Sequence, residues 1–309
     1  MSGHCRLRNS EVLMEKQQKQ TKSQTPVALV YAVALIASLA IFGLVGLIIV
    51  NNFMPEPKTV EQTESNNAGF STDDDLMTLY TLSDSNDSLQ SVVLAKFMAS
   101  KQKIIIIPIT PFMSVDGTTL AEFYATGGVV SVTDAVESEM KLTIDKYMTM
   151  STDTFSSVAN IMGTSIITII DGVTLYDKLN DEEISHVRGD RLAVDGETAV
   201  ALITYAGYSE GAASNMKMCG EIVSSLINTF FTQTGTAKSN IDAIFQKEFD
   251  DANTNITMDE YNKMKNAIVY VIDNSTMPSY SLTPTGTWED PVHFIVDENF
   301  VGQLDGYLE

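Results

Sequence analysis

The sequence predicts an α/β domain of α-β-α layers around a mixed central sheet, held on one N-terminal transmembrane helix. Three observations lead to this prediction. An uncharged apolar run lies near the N-terminus, a polar stretch follows it, and strand-like and helix-like segments alternate from Leu76 onward. Strands that alternate with helices are typical of layered domains with one hydrophobic core.

The apolar run extends from Val27 to Val50. As a helix rising ~1.5 Å per residue, it exceeds the ~30 Å hydrocarbon core of a bilayer. Residues 1–26 carry five basic and two acidic residues, so the positive-inside rule predicts a cytoplasmic tail and an extracellular domain at the cell membrane. The run is longer than the apolar core of a signal peptide, which favours a retained anchor. The polar composition of residues 51–75 predicts a linker. Residues 76–309 are predicted to form the extracellular domain.

The charge of the chain is strongly acidic, with 19 basic and 40 acidic residues and a net charge of −21. Without the cytoplasmic tail the predicted extracellular part is more acidic still. Such a balance argues against binding nucleic acid or anionic headgroups by general attraction. Of the two cysteines, Cys5 precedes the predicted span and Cys219 follows it, so no intramolecular disulfide is expected.

The strand-like segments are aliphatic or alternating runs, and the central one, "KIIIIPI", reads as a buried strand. Predicted strands are 76–82, 91–97, 104–109, 145–150 and 164–170, with a hairpin turn at 98–103. Helical patterns recur at amphipathic spacing and end on glycine in two cases. Predicted helices are 118–128, 132–142, 152–163, 215–231 and 257–273.

Five segments in this order resemble the LytR-CpsA-Psr (LCP) family of cell-envelope proteins. They are "ASKQKIIIIPI", "LAEFYATGG", "TIDKYMTMSTDTFSSVANIMG", "LAVDGETAVALITYA" and "TNITMDEYNKM". The resemblance implies a phosphotransferase that moves a glycopolymer from a polyprenyl pyrophosphate carrier onto peptidoglycan at the outer membrane face. It also implies that residues 197–205 form a helix. Arginine forks neutralise pyrophosphate oxygens in such chemistry, and acidic residues hold a divalent cation.

The chain departs from the family at those reactive positions. The arginine, aspartate and threonine of the family motif "P-R-D-T" fall on Pro111, Phe112 and Met113. The two arginines of the motif "Y-x-R-x-R" fall on Thr204 and Ala206. The aspartate of "S-D-T" falls on Gln90 if the spacing to the strand is kept, or on Asp87 if the loop has shifted. The resemblance therefore implies a degenerate, non-catalytic member with no cofactor.

An alternative within the family is an active phosphotransferase with a rearranged site. Its weak candidate residues are Asp87, Asp84 and Lys217, with Arg188 as a further cation. Mg²⁺ is expected only under this alternative, because acidic residues would then hold it on the phosphates.

Two further signals have competing interpretations. "GYSEG" at 207–211, followed by Asp273 and His293, matches the order of a hydrolase triad. It lacks a preceding strand, and the alternative is a loop ahead of a helix whose N-cap is Ser214. Methionines could line an apolar cavity for a polyprenyl tail or could fill an ordinary core. They include Met140, Met148, Met150, Met162, Met216 and Met218.

The sequence thus predicts a membrane-anchored LCP-like protein acting in or beside cell-wall polymer attachment. Its expected partners are the membrane and a polyprenyl-linked glycopolymer or another envelope enzyme, with no nucleic acid. A structural or adhesive surface protein is the alternative from another class.

Overall fold

The computed structural model describes residues 69–177, 180–250 and 252–308, in which thirteen strands and seven α-helices follow a short 3₁₀ turn at Thr72–Asp74. The strands are β1 (Leu76–Ser83), β2 (Leu89–Met98), β3 (Lys103–Ile109), β4 (Ser114–Val115), β5 (Thr118–Thr119), β6 (Lys146–Ser151), β7 (Ser165–Thr168), β8 (Val173–Asp177), β9 (Glu182–His186), β10 (Arg191–Val194), β11 (Ser279–Ser281), β12 (Gly286–Asp290) and β13 (His293–Val296). The helices are α1 (Leu120–Met140), α2 (Thr152–Met162), α3 (Gly196–Ile203), α4 (Ala212–Thr232), α5 (Thr234–Asp250), α6 (Met258–Asn274) and α7 (Glu298–Leu308).

The central sheet is mixed, as predicted. Its strand order is β11-β3-β2-β1-β6. The β1–β2 and β2–β3 pairs are antiparallel, whereas β6 pairs with β1 and β11 pairs with β3 in parallel. The parallel pairs require long crossover connections, and the helices of the domain provide them.

The isoleucine run of β3 is buried on both faces of the sheet. Ile105, Ile107 and Ile109 pack into one core, and Ile104 and Ile106 into the other. The alternation follows from the two-residue period of a strand. Proline is tolerated within β3 because β11 pairs only with Ile104–Ile106, which leaves the following edge without a strand partner.

The two cores define the layers. α1 and α7 pack on one face of the sheet, and α2 to α6 pack on the other. The predicted arrangement of helix, sheet and helix layers is therefore present. Before β1, Phe70 contacts Tyr270 of α6 with ring centroids 4.9 Å apart.

α1 is interrupted at the paired glycines that the sequence pattern indicated as a helix end. It begins with a capping box between Thr119 and Glu122. Gly128 then adopts φ 64° and ψ −156°, and a second helical segment continues to Met140. Only glycine takes this conformation without steric cost, which explains why the pattern changes there.

The structure also differs from the sequence prediction. Ser214 is not the N-cap of α4, because that helix begins after Gly211 and Ser214 is buried inside its first turn. α5 and the β12–β13 hairpin were not predicted. None of the helices in the described ranges is long and apolar enough to cross a bilayer. The predicted anchor, Val27–Val50, lies outside those ranges.

Candidate functional site

A cleft of about 650 Å³ opens where β3 leaves the sheet. One wall is the β3–β4 loop at Thr110–Phe112, and the opposite wall is the loop between α3 and α4. The β12–β13 hairpin contributes Trp288 and Asp290. A sheet edge followed by loops from several elements is the usual setting for a binding site.

The cleft brings together five of the six positions at which the chain departs from the family's motifs, whereas the sixth, Met113, is buried in the core. Gln90, Pro111, Phe112, Thr204 and Ala206 all line it. None of the described lining residues is lysine or arginine. Phosphate and pyrophosphate oxygens are normally bound by such cations, so the described lining lacks the cationic donors that a phosphate site usually has.

The acidic residues of the cleft make it still less suited to binding a phosphate group. Glu210 and Asp290 line it. Hydrogen bonds, the strongest from the Val292 N–H and the next from the His293 side chain, lower the pKa of Asp290, so this carboxylate is charged at neutral pH. This charge disfavours a second anion in the cleft, and the ion pair with His293, whose pKa is raised by Asp290, reduces the effect.

Asp84 lies behind the cleft in the β1–β2 turn. Its Oδ1 accepts from the N–H groups of Asn86 at 2.8 Å and Ser88 at 3.0 Å, and its Oδ2 accepts from Gln90 Nε2 at 3.0 Å. Asp87 has φ 60° and accepts from the Tyr124 hydroxyl at 3.2 Å. Both carboxylates are therefore used within the turn and its neighbour α1.

These contacts do not fit a divalent cation. No group of three or more acidic, histidine or cysteine side chains suited to a metal occurs in the described part of the chain. Mg²⁺ usually requires one or two free carboxylates together with phosphate oxygens and water.

The candidate cations are not among the residues that line the cleft, although Lys217 contacts Glu210 in its wall. Lys217 forms an ion pair with Glu210 at 3.4 Å, and its side chain is 54% exposed. Arg188 is exposed in the turn between β9 and β10, outside the residues that line the cleft. The structure does not assemble Lys217, Arg188 and Asp87 into one site.

Aromatic side chains form one side of the cleft. Phe112 is 38% exposed and meets Trp288 edge-on, with ring centroids 6.2 Å apart. Trp288 is in turn supported by the buried Phe294, at 5.1 Å. This stack gives the cleft an apolar wall next to the amides of Gln90 and Asn215.

The hydrolase-like motif is not a triad. Ser209 bonds to Asp171, His293 bonds to Asp290 at 2.7 Å, and Asp273 pairs with Lys238. The segment before Ser209 is helix α3 and a loop rather than a strand. The sequence interpretation of this stretch as a loop ahead of a helix is therefore confirmed.

A second cavity, of about 280 Å³, lies between the sheet and helices α2, α4, α5 and α6. Its lining is almost entirely hydrocarbon. Met148, Met150 and Met162 line it, whereas Met140 and Met216 belong to the core on the opposite face. Met218 packs in the same core as the cavity without lining it. Ile203 lines both the cavity and the cleft, so the two spaces adjoin at this side chain.

A model of the LytR_cpsA_psr family matches residues 90–306. The chain belongs to the LytR-CpsA-Psr family. The match includes β3, most of the residues that line the cleft, and the C-terminal strands β12 and β13. A search of curated protein sequences finds no match.

Solved structures share the LCP fold with this chain. A transcription regulator from Eubacterium siraeum has 21% sequence identity and a TM-score of 0.69, covering 81% of this chain and 96% of its own. TagV of B. subtilis has 17% identity and a TM-score of 0.60, covering 76% of this chain and 95% of its own. TagT bound to LIIa-WTA has 16% identity and a TM-score of 0.58, covering 77% of this chain and 91% of its own.

Sequence reasoning missed two residues of this LCP domain. Trp288 carried a weak signal, as the single tryptophan of the chain. Glu248 carried a clearer one, because it continues the stripe of Ile241, Ile244 and Phe245 at helical spacing and lines the apolar cavity. An acidic residue in an apolar helical stripe indicates either that the buried face of the helix was assigned wrongly or that the acidic side chain lies in an apolar environment.

Proposed function

We propose that this protein is a membrane-anchored member of the LCP family that binds a polyprenyl-linked glycopolymer without transferring it. The cleft carries this proposal, because none of its described lining residues is a cation although the family's reactive positions meet there. The adjoining apolar cavity supports retained binding of a lipid tail.

The absence of cations from the described cleft lining should lower the rate of phosphoryl transfer. Transfer from a pyrophosphate carrier builds negative charge on the phosphate oxygens, which bound cations must stabilise in the transition state. Each charge-assisted hydrogen bond is worth ~1.5–3 kcal/mol. Losing several of them removes a large part of the rate enhancement, and the acidic Asp290 opposes the remainder.

The remaining chemistry of the cleft suits the sugar part of a glycopolymer. The Phe112–Trp288 pair can pack against the apolar face of a sugar ring. Gln90 and Asn215 line the same space. Their amide N–H groups already donate to Asp84 and to the Ile203 carbonyl, and their amide oxygens can accept from sugar hydroxyl groups. TagT, which has the same fold, was solved with LIIa-WTA bound, and this supports a related ligand class here.

The location is part of the proposal. The run Val27–Val50 would anchor the chain in the membrane with its N-terminus inside, and residues 51–75 would hold the domain near the outer face. Envelope glycopolymers are attached at that face, so the domain would meet its ligand or a partner enzyme there.

The test is native mass spectrometry of the full-length protein with polyprenyl phosphate or polyprenyl pyrophosphate, with and without Mg²⁺. We expect both lipids to be retained equally and no product to form. Selective, Mg²⁺-dependent retention of the pyrophosphate with release of phosphate, lost in Asp87→Ala, would instead show an active enzyme. Retention of neither lipid would favour a structural or adhesive protein.

A cavity-filling variant sharpens this test. Val223 lines the cavity and is partly buried, so Val223→Trp should abolish retention of both lipids. Val130, 46% exposed on α1, provides the control, and Val130→Trp should leave retention unchanged. Equal effects of the two variants would show that the lipids bind elsewhere.

A further inference from the structure

Glu248 places a carboxyl group in the wall of the apolar cavity. It lies in α5 one turn beyond Ile244 and Phe245, which also line the cavity. Most of the other lining groups are hydrocarbon. Glu248 is half-buried as a residue, and it lines the cavity without the partner that a buried acid in an ordinary core has.

The polar groups that face Glu248 are few. Tyr80 approaches from β1 and Tyr261 from α6, and both interact electrostatically with its carboxylate. The Tyr261 hydroxyl is already donated to Asp242 at 2.6 Å. From α4, Cys219 is the titratable group in the lining, whereas α2 and β6 contribute only apolar side chains.

No cation compensates the carboxylate. Within the described ranges, Glu248 makes no hydrogen bond or ion pair. Among the described lysines, Lys146 pairs with Glu260 and Lys265 with Asp242. Desolvation by burial raises the pKa of Glu248 to about 7. The group therefore changes charge in the physiological range while it lines a hydrocarbon cavity.

We propose that Glu248 is a protonation switch that controls whether the cavity accepts an apolar chain. The neutral carboxyl leaves the cavity dry, and a hydrocarbon chain can fill it. The ionised carboxylate must be hydrated, and the water that it draws in competes with the chain. This inference rests on the proposed function, since it regulates the same lipid cavity.

The direction of the effect follows from linkage. An apolar chain binds the protonated form better, so binding and proton uptake favour each other. Affinity is then highest at low pH and falls as the pH rises through the range in which Glu248 ionises. With one linked proton, the loss approaches about tenfold per pH unit above that range.

The experiment is equilibrium dialysis of radiolabelled farnesol against the full-length protein from pH 5.5 to pH 8.5. Farnesol is an isoprenoid alcohol without a charge in this range, so any pH dependence comes from the protein. We expect the dissociation constant of the wild type to rise about tenfold or more across the range. Glu248→Gln, which is always neutral, should keep the low-pH affinity throughout.

Two further variants complete the test. Glu221 is exposed on α4, and Glu221→Gln should keep the pH profile of the wild type. Glu248→Met removes the carboxyl with a side chain of similar length, and should bind independently of pH even if the glutamine variant folds poorly. Binding by the wild type that does not vary with pH would overturn the switch and leave the proposed function standing. No farnesol bound by any protein at any pH would overturn both.

Discussion

The Asp171 carboxylate holds Ser209 through both of its oxygens. The Ser209 N–H donates to Oδ2 at 2.7 Å, and the Ser209 hydroxyl donates to Oδ1 at 2.8 Å. This pair ties the segment after β7 to the loop between α3 and α4, and that loop forms a wall of the cleft. The position of Glu210 and Gly211 in the cleft therefore depends on a carboxylate outside it.

Asp171→Asn should loosen this wall and destabilise the protein by about 1–2 kcal/mol, because charge-assisted hydrogen bonds are replaced by weaker ones. Hydrogen bonds, led by that of the Ser209 side chain, lower the pKa of Asp171 to about 2. A lowered pKa stabilises the fold above the usual value of 3.8, and this contribution is lost as the pH falls toward 2. Denaturation of both proteins at pH 7 and pH 2 measures the difference, which should shrink at the lower pH. Asp134→Asn, on the exposed face of α1, is the control and should show no such difference.

Returning a cation to the cleft should restore affinity for pyrophosphate. In Ala206→Arg, a guanidinium replaces an exposed methyl group that lines the cleft. One charge-assisted hydrogen bond of ~1.5 kcal/mol corresponds to about tenfold tighter binding of polyprenyl pyrophosphate. Titration with the lipid gives the affinity. Ala201→Arg adds the same charge at an exposed position of α3 outside the cleft lining, and an equal gain there would mean that general attraction is responsible.

Close packing of α4 against the sheet should make Gly220 intolerant of a side chain. A Cβ at Gly220 would overlap the Ser281 hydroxyl and lie 3.0 Å from Pro108 Cγ. Gly220→Ala should therefore destabilise the fold by about 1–3 kcal/mol. Gly302 in α7 has no atom within 4 Å of such a Cβ, and Gly302→Ala should stabilise it by about 0.5–1 kcal/mol. Urea denaturation measures the free energy of unfolding of both variants. A change of the same sign in both would contradict the packing described.

Cys219 should be inert to alkylation in the folded protein. It is 2% exposed, contacts the Ser91 hydroxyl at 3.3 Å, and has its pKa raised to about 11 by burial. In a Cys5→Ser background at pH 8, iodoacetamide should label it at least about 100-fold more slowly than in urea, because the thiolate fraction falls with the raised pKa. Rapid labelling in native buffer would show that the cavity wall opens readily.

The buried carboxyl of Glu248 should make the unliganded protein less stable as the pH rises. Its pKa in the folded state, about 7, exceeds the ordinary value of 4.5, so the folded state binds more protons between these values. Stability then falls from pH 4.5 to pH 7 and changes little above. The free energy of unfolding of Glu248→Gln should equal that of the wild type near pH 4.5 and exceed it by roughly 1–3 kcal/mol at pH 8. Thermal denaturation at the two pH values checks this, with Glu221→Gln expected to follow the wild type.

The elements that periodicity predicted well are those with strong local patterns. β3 followed from its isoleucines, and the break in α1 followed from its paired glycines. α5 was missed because its apolar stripe is narrow and its exposed face is polar, so the segment resembles a loop in composition. The prediction that Ser214 caps α4 was wrong. A serine at the start of a helical pattern can be the N-cap or can lie buried in the first turn, and Ser214 does the latter.

The cleft was less accessible to sequence reasoning. Its residues come from β2, the β3–β4 loop, the α3–α4 loop and the β12–β13 hairpin, which are far apart along the chain. No spacing rule joins Gln90 to Trp288. The family's motifs indicated five of the positions, whereas the aromatic wall depends on a tertiary contact between Phe112 and Trp288 that only the fold reveals.

The parallel pairing of β11 with β3 has a consequence for the order of folding. Ile104, Ile105 and Ile106 acquire their second strand neighbour only from Ser279–Ser281, which a ribosome makes about 170 residues later. Until then β3 offers an unpaired aliphatic edge, which is prone to aggregation. Such a distant pairing also slows folding. A chaperone that covers extended aliphatic segments would protect β3 during this delay.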